Sequence, residues 1–130
     1  MAHELKQVEN KVYLDRGGII HSVHRGVQTA EDLQQSRDRI QRIVDALTAQ
    51  DKLVLLLVDI RGSSHQGLES RIEALHSRTI LPFWKAAFVV DREIKEYELV
   101  SRKLSGMTGR KKEIRYFHQV EDAMRWLRGN

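Results

Sequence analysis

The sequence has no cysteine among its 130 residues. This absence excludes a disulfide framework, a thiolate metal site and a cysteine nucleophile. Long hydrophobic runs are also missing, since the longest, residues 53–58, is only six residues and too short to span a bilayer. The first six residues have no apolar stretch of the kind found in secretory signals. We therefore expect a cytoplasmic protein without a transmembrane segment.

Apolar residues make up 41% of the chain and charged residues 31%, which predicts a modest core under a highly charged surface. The net charge of +4 is uneven: residues 1–91 hold 12 basic and 12 acidic residues, whereas residues 92–130 hold 10 and 6. Part of the excess lies at Arg110-Lys111-Lys112. Such a cluster attracts phosphate groups or an acidic partner, but we favour a solvated loop. No aromatic residues are interleaved with it, so nucleic-acid binding is not expected.

The first third of the chain predicts a hairpin and a long helix. Residues 11–15 and 19–25 are β-rich and flank Gly17 and Gly18, a pattern typical of a β-hairpin. Thr29 then precedes two acidic residues, as at a capped helix start. An apolar stripe at helical spacing extends this helix to about Gln50; its members are Leu33, Ile40, Ile43, Val44 and Leu47.

The rest of the chain alternates strands with helices. Residues 53–58 are aliphatic without alternation, which predicts a central strand covered on both faces. The second helix is expected to bury one face and to end near Pro82, the only proline; that face comprises Leu68, Ile72, Leu75 and Thr79. The remaining predicted elements are a strand at 86–90, a charged helix at 92–104, a strand at 114–117 and a helix from about 120.

The predicted order is β-β-α-β-α-β-α-β-α. Alternating strands and helices favour parallel neighbours, and the opening hairpin makes the sheet mixed. We therefore predict a single α/β domain over residues 11–130, with one mixed sheet and helices, preceded by a polar segment over residues 1–10.

Three segments carry a family resemblance. They are Leu55-Leu56-Leu57-Val58-Asp59-Ile60-Arg61, Ala86-Ala87-Phe88-Val89-Val90, and Arg115-Tyr116-Phe117 with Glu121-Asp122-Ala123-Met124-Arg125-Trp126-Leu127. With the element order, they make the chain similar to the SpoIIAA-like branch of the STAS domains. The resemblance implies a non-enzymatic module that binds a protein partner.

In the anti-sigma-factor antagonists of that family, a serine at the start of the second helix is phosphorylated, within a motif resembling Asp-Ser-Ser-Gly-Leu. Aligning its last two residues with Gly67-Leu68 places His65 and Gln66 where the serine pair stands, so the phosphoacceptor is out of register. Ser63 and Ser64 lie two residues earlier.

The segment 61–67 is nevertheless the most site-like part of the sequence. It leaves the carboxyl end of a central strand and enters a helix, where free backbone amides favour anions. We therefore predict a partner-binding, anion-binding or phosphorylation loop, comprising Arg61, Ser63, Ser64, His65 and Gln66. The plainer alternative is that Ser63 or Ser64 only satisfies loop or helix-start amides.

No catalytic, metal or cofactor site is predicted. Asp59, Ser64 and His65 have the residue types of a hydrolase triad but lie too close in sequence and lack a nucleophile turn. His21 and His24 point to opposite faces of a strand, so they make a poor metal pair. Residues 106–112 lack the spacing of a phosphate-binding loop.

Phe83 and Trp84, directly after Pro82, leave two hypotheses open. They either pack as core beneath the second helix, which we favour, or, with Phe88, line an apolar groove for a small lipid-like ligand. Protein-partner binding is thus the first functional expectation, and a ligand carrier or sensor is the second.

Overall fold

The computed structural model describes residues 8–95 and 113–129, and the side chains of residues 78–80 are left aside. The chain opens with an antiparallel hairpin of β1 (Glu9–Leu14) and β2 (Ile19–Gln28). Gly18 takes a positive φ of 85° in the turn, a conformation that glycine adopts without steric cost. The hairpin predicted around Gly17 and Gly18 is confirmed, and its first strand starts at Glu9, within the polar segment assigned to residues 1–10.

The sheet continues in parallel from β2. Its order is β1-β2-β3-β5-β6, with β3 at Leu55–Asp59, β5 at Lys85–Val89 and β6 at Glu113–Phe117. A short strand, β4 (Ser63–His65), pairs in parallel with the end of β2. The sheet is therefore mixed, as predicted, and β4 is an additional strand inside the segment expected to be a loop.

Three helices are described. They are α1 (Ala30–Ala49), α2 (Gly67–Ile80) and α3 (Val120–Leu127). Thr29 caps α1 in a reciprocal capping box: its hydroxyl accepts from the Asp32 amide at 3.1 Å, and the Asp32 carboxylate accepts from the Thr29 amide at 2.9 Å. The expected start and length of α1 are confirmed.

The core has two parts, one on each face of the sheet. One part joins Leu56 and Val58 of β3 to α1 residues such as Ile40 and Val44. The other joins Leu57 to Ala123 and Leu127 of α3. Because neighbouring side chains of a strand point to opposite faces, an aliphatic strand without alternation serves both parts. The prediction that β3 is central and covered on both faces is confirmed.

The prediction of which face of α2 is buried is wrong. Leu68, Ile72 and Leu75 are 70%, 55% and 38% exposed, whereas Ser70 is completely buried. The helix turns its small side chains toward the sheet, and its apolar stripe faces outward. Helical spacing identified which residues share a face but not which face packs.

Three predictions lie wholly or mostly outside the described residues. They concern the charged helix over 92–104, of which only residues 92–95 are described, the helix stop over 105–109, and the basic cluster Arg110-Lys111-Lys112.

Candidate functional site

A cavity of about 460 Å³ lies between the sheet and the pair α1 and α2. Its existence follows from the inner face of α2, where the residues facing the sheet are small. Ser70 is buried, and Ala74 and Ser77 line the cavity. Side chains of this size leave space that leucine or isoleucine would fill. The volume is in the range typical of small-molecule sites, about 300–1,000 Å³.

One wall of the cavity is a polar stripe on β2. Ser22, His24 and Gln28 lie on the same face of the strand, and all three are at most 8% exposed. The Ser22 hydroxyl lies 2.8 Å from Nε2 of His24. The Gln28 amide exchanges hydrogen bonds with Asn10 at 2.8 and 3.1 Å and donates to the Arg25 carbonyl at 3.1 Å.

His24 retains an unused hydrogen-bonding atom. Its Nδ1 is buried and has no hydrogen-bond partner among the described residues. The neighbouring Gln28 amide is engaged by Asn10 and by the Arg25 carbonyl. Burial lowers the pKa of His24, outweighing the opposite effects of Gln28 and Asp59, so the ring is neutral at pH 7. Ser77 Oγ is a second buried atom that lacks a partner in the described part of the chain. A buried polar atom without a partner destabilises the fold, so such atoms mark candidate ligand contacts.

The opposite part of the cavity is apolar. It is formed by residues of α1, β3, β5 and the segment between α2 and β5: Ile40, Leu56, Val58, Leu81, Phe83 and Phe88. Phe88 and Phe83 are 5% and 8% exposed, so they present their rings to the cavity interior and not to solvent. The cavity therefore combines one polar wall with one apolar wall.

Every charged residue that the structure places in the cavity lining is basic. Arg37 is paired with Glu73 of α2. Arg71 and Arg92 also line the cavity, and both are exposed, which places them at its mouth. The described lining residues include no aspartate or glutamate.

The predicted loop residues divide between the cavity and the surrounding framework. Ser63, Ser64 and His65 line the cavity, whereas Arg61 and Gln66 do not. Ser63 donates to the Ile60 carbonyl at 2.6 Å, and His65 Nδ1 lies 2.8 Å from Ser70 Oγ. Gln66 occupies the position before α2, and its side chain makes no capping hydrogen bond.

Arg61 belongs to an ionic cluster at the end of β3. Its guanidinium donates to both carboxylate oxygens of Asp59, at 2.9 and 2.8 Å, and Arg25 donates to the same carboxylate at 2.8 Å. Burial alone would raise the pKa of Asp59, but the hydrogen bonds from Arg61 and Arg25 lower it from 3.8 to about 2. Asp59 is thus engaged by arginines, and His65 bonds to Ser70. The structure does not join Asp59, Ser64 and His65 into a triad.

The three aromatic residues predicted for an apolar groove also divide. Phe83 and Phe88 line the cavity, but Trp84 does not. Phe83 is buried in the core as expected, whereas Trp84 is 45% exposed, so the expectation that Trp84 packs as core is wrong. The Lys85 ammonium lies 4.8 Å from the Trp84 ring centre and 5.1 Å from that of Trp126, so Trp84 belongs to a surface cation–π group.

The residues that sequence reasoning missed are Ser22 and Gln28, together with the cavity role of His24. A signal for them exists: three polar side chains recur at even spacing along a strand whose other residues are mostly apolar. The histidines of β2 were considered only as a metal pair. His21 in fact lies on the other face and bonds to Asp15 at 2.8 Å.

Metal-binding clusters and membrane-spanning helices are both absent from the described residues. Residues 8–95 and 113–129 contain no group of three or more His, Asp or Glu side chains arranged to hold a metal ion. Within the same ranges, every helix is too short or too polar to cross a membrane.

Fold and cavity together define a mixed-sheet α/β module of the STAS type. A family model described as SpoIIAA-like matches residues 19–128, and the chain belongs to that family. It is similar to the crystal structure of an uncharacterized protein from the DUF3478 family with a SpoIIAA-like fold, from Shewanella loihica PV-4. The two share 19% sequence identity with a TM-score of 0.62, over 98% of each chain. No curated protein matches the chain.

Proposed function

We propose that this domain is a non-enzymatic module that binds a small molecule in the cavity between the sheet and α1–α2, as a carrier or a sensor. The observation that carries the proposal is the cavity itself: about 460 Å³, with a polar wall on β2 and an apolar wall at Phe83 and Phe88. Small-molecule sites combine mostly apolar walls with a few polar groups that fix orientation.

Binding fits the chemistry better than catalysis. Ser22 and His24 have the separation of a nucleophile and its base, 2.8 Å. However, Nδ1 of His24 has no carboxylate to orient it within the described residues, and an oriented base is part of such a pair. SpoIIAA-like and STAS domains are also generally non-enzymatic. We therefore assign Ser22 and His24 to a hydrogen-bonding surface for a ligand.

The test is mass spectrometry of protein purified from its native host without a lipid-stripping step. Native spray should show added mass that disappears under denaturing conditions. An Ala74→Phe variant places a bulky ring inside the cavity, whereas Leu75→Phe places the same ring on the outer side of α2. We expect the first variant to lose the added mass and the second to keep it. Equal ligand loading in both variants would contradict the proposal. So would a wild-type chain that carries no added mass and binds no member of an added ligand library.

A second candidate function is protein-partner binding through β4 and α2. The observation that favours it is the exposed apolar stripe Leu68, Ile72 and Leu75, on the helix that follows the 61–66 segment. Apolar residues grouped on a surface helix are typical of helix-mediated recognition.

This candidate is tested by pull-down from native lysate. We expect an Ile72→Glu variant and a Ser64→Glu variant to lose partners that wild type recovers, while an Arg42→Glu variant on the outer face of α1 keeps them. If all three variants recover the same partners as wild type, the β4–α2 surface is not the contact.

A further inference from the structure

The charges that line the cavity have one sign. Three arginines contribute to the lining, Arg37, Arg71 and Arg92, and no acidic residue among the described ones does. A cavity lined in this way favours a negatively charged ligand group.

Two of these arginines are available to a ligand. Glu73 neutralises Arg37, whereas Arg71 and Arg92 form no salt bridge with any residue that the structure describes. Arg71 is on α2, and Arg92 follows the carboxyl end of β5. Arginine presents several N–H groups in a planar fork that matches an oxyanion such as carboxylate or phosphate.

The strand register places the polar groups at one end of the cavity. Ser22 pairs with Val58, so His24 extends beyond the carboxyl end of β3. Strand β4, with Ser63, Ser64 and His65, continues along β2 at this same edge of the sheet. Leu56 and Phe83 lie toward the opposite end, near the starts of β3 and β5. The polar groups thus lie at and beyond the carboxyl ends of the parallel strands. Val58 and Phe88 are level with Ser22, and the lining beyond them toward Leu56 and Phe83 is apolar.

His24 adds a neutral donor at the polar end. When the Ser22 hydroxyl donates to Nε2, the ring proton of the neutral imidazole is on Nδ1, the buried atom without a partner among the described residues. An oxygen of the ligand would satisfy it. His24, Arg71 and Arg92 therefore offer N–H donors to an acceptor that bears negative charge.

We infer that the ligand is an amphipathic anion, with an oxyanion head at the carboxyl edge of the sheet and an apolar body against Phe83 and Phe88. This inference rests on the proposed cavity function. The shared chemistry of the head is that of a carboxylate or a phosphate monoester.

The inference is tested by isothermal titration of the full chain, stripped of bound lipid, with three probes of the same chain length: dodecanoate, dodecyl phosphate and dodecan-1-ol. All are used below the concentrations at which they aggregate. We expect at least one anion to bind about tenfold more tightly than the alcohol, as a hydrogen bond to a charged group predicts. The better anion identifies the head.

A pair of matched double variants assigns that preference to the cavity mouth. Arg71→Gln with Arg92→Gln should bring the affinity for the anion down to that for the alcohol. Arg39→Gln with Arg42→Gln removes the same charge from exposed positions of α1 and should leave the preference intact. These four residues are exposed, so unfolding is not expected to obscure the result.

The outcomes separate the two proposals. If all three probes bind equally, the anionic head is wrong and the cavity function stands. If the α1 control variant loses the preference as fully as the mouth variant, general surface charge is responsible and the inference is wrong. If no probe binds, the inference is overturned, and the native mass measurement decides the proposed function independently.

Discussion

The carboxylate of Asp59 should make the stability of the domain depend on pH in a calculable way. Asp59 ends β3, is 4% exposed, and accepts hydrogen bonds from Arg25 and from the side chain and amide of Arg61. Although its burial acts to raise the pKa, these bonds lower it from 3.8 to about 2. A pKa lowered by nearly two, at about 1.4 kcal/mol for each pKa unit, corresponds to about 2 kcal/mol of folding free energy.

The sign follows from the direction of the change. Because the pKa is lower in the folded state, this stabilisation is fully present above the unfolded value of 3.8 and is lost as pH falls through about 2. Asp59→Asn keeps the shape of the side chain and removes its charge. We expect the variant to lose about 2 kcal/mol of unfolding free energy at pH 7 and about half of that at pH 3.

Urea unfolding followed by circular dichroism at both pH values measures these differences. Asp91→Asn is the matched control, since among the described residues Asp91 accepts one exposed hydrogen bond, from the Gly62 amide at 2.9 Å. We expect that control to cost about 1 kcal/mol or less. If Asp59→Asn costs the same at pH 7 and pH 3, the carboxylate is not stabilised as an anion, and the reasoning from its arginine partners is refuted.

Two further predictions concern the framework of the cavity and are measured by the same unfolding assay. Thr29→Ala removes the capping box of α1 and should lower the free energy of unfolding by about 1 kcal/mol. Thr48→Ala, on the exposed surface of the same helix, should change it by less than about 0.5 kcal/mol. Equal effects of the two substitutions would contradict the capping role. Leu57→Ala creates a space between β3 and α3 and should lower the free energy of unfolding by about 2–5 kcal/mol. Ile72→Ser, on the exposed stripe of α2, should change it by no more than about 0.5 kcal/mol. A large loss for Ile72→Ser would show that the stripe is packed in solution.

Much of the fold was predictable because its signals are local. The glycine pair between two β-rich runs predicted the hairpin, and Thr29 with its acidic neighbours predicted the start of α1. The unbroken aliphatic run of β3 predicted a strand with both faces covered. Each of these patterns has a direct physical cause in turn geometry, capping or burial.

The orientation of α2 and the cavity were not predictable in the same way. Leu68, Ile72 and Leu75 formed the more apolar face, so they were expected inside, yet Ser70 is the buried residue. Which face packs depends on what lies opposite, and that is a property of the tertiary structure. The short strand β4 is similar, since three polar residues become a strand only because the end of β2 offers a free edge.

The candidate site was predicted only in part for the same reason. Ser63, Ser64 and His65 were singled out from the loop position, and Phe83 and Phe88 from their aromatic character; all five line the cavity. What joins them is the space beneath α2 and the polar face of β2, neither of which is encoded by a local motif.

The measurement that tests the central claim most directly is a crystal structure of the protein grown with the tightest-binding of the three titrated probes. The cavity function predicts electron density for the elongated molecule between β2–β3 and α1–α2, with its chain along Phe83 and Phe88. The anionic-head inference further places its head toward His24. Only water in this cavity, at a probe concentration well above that needed for saturation in solution, would contradict the cavity function.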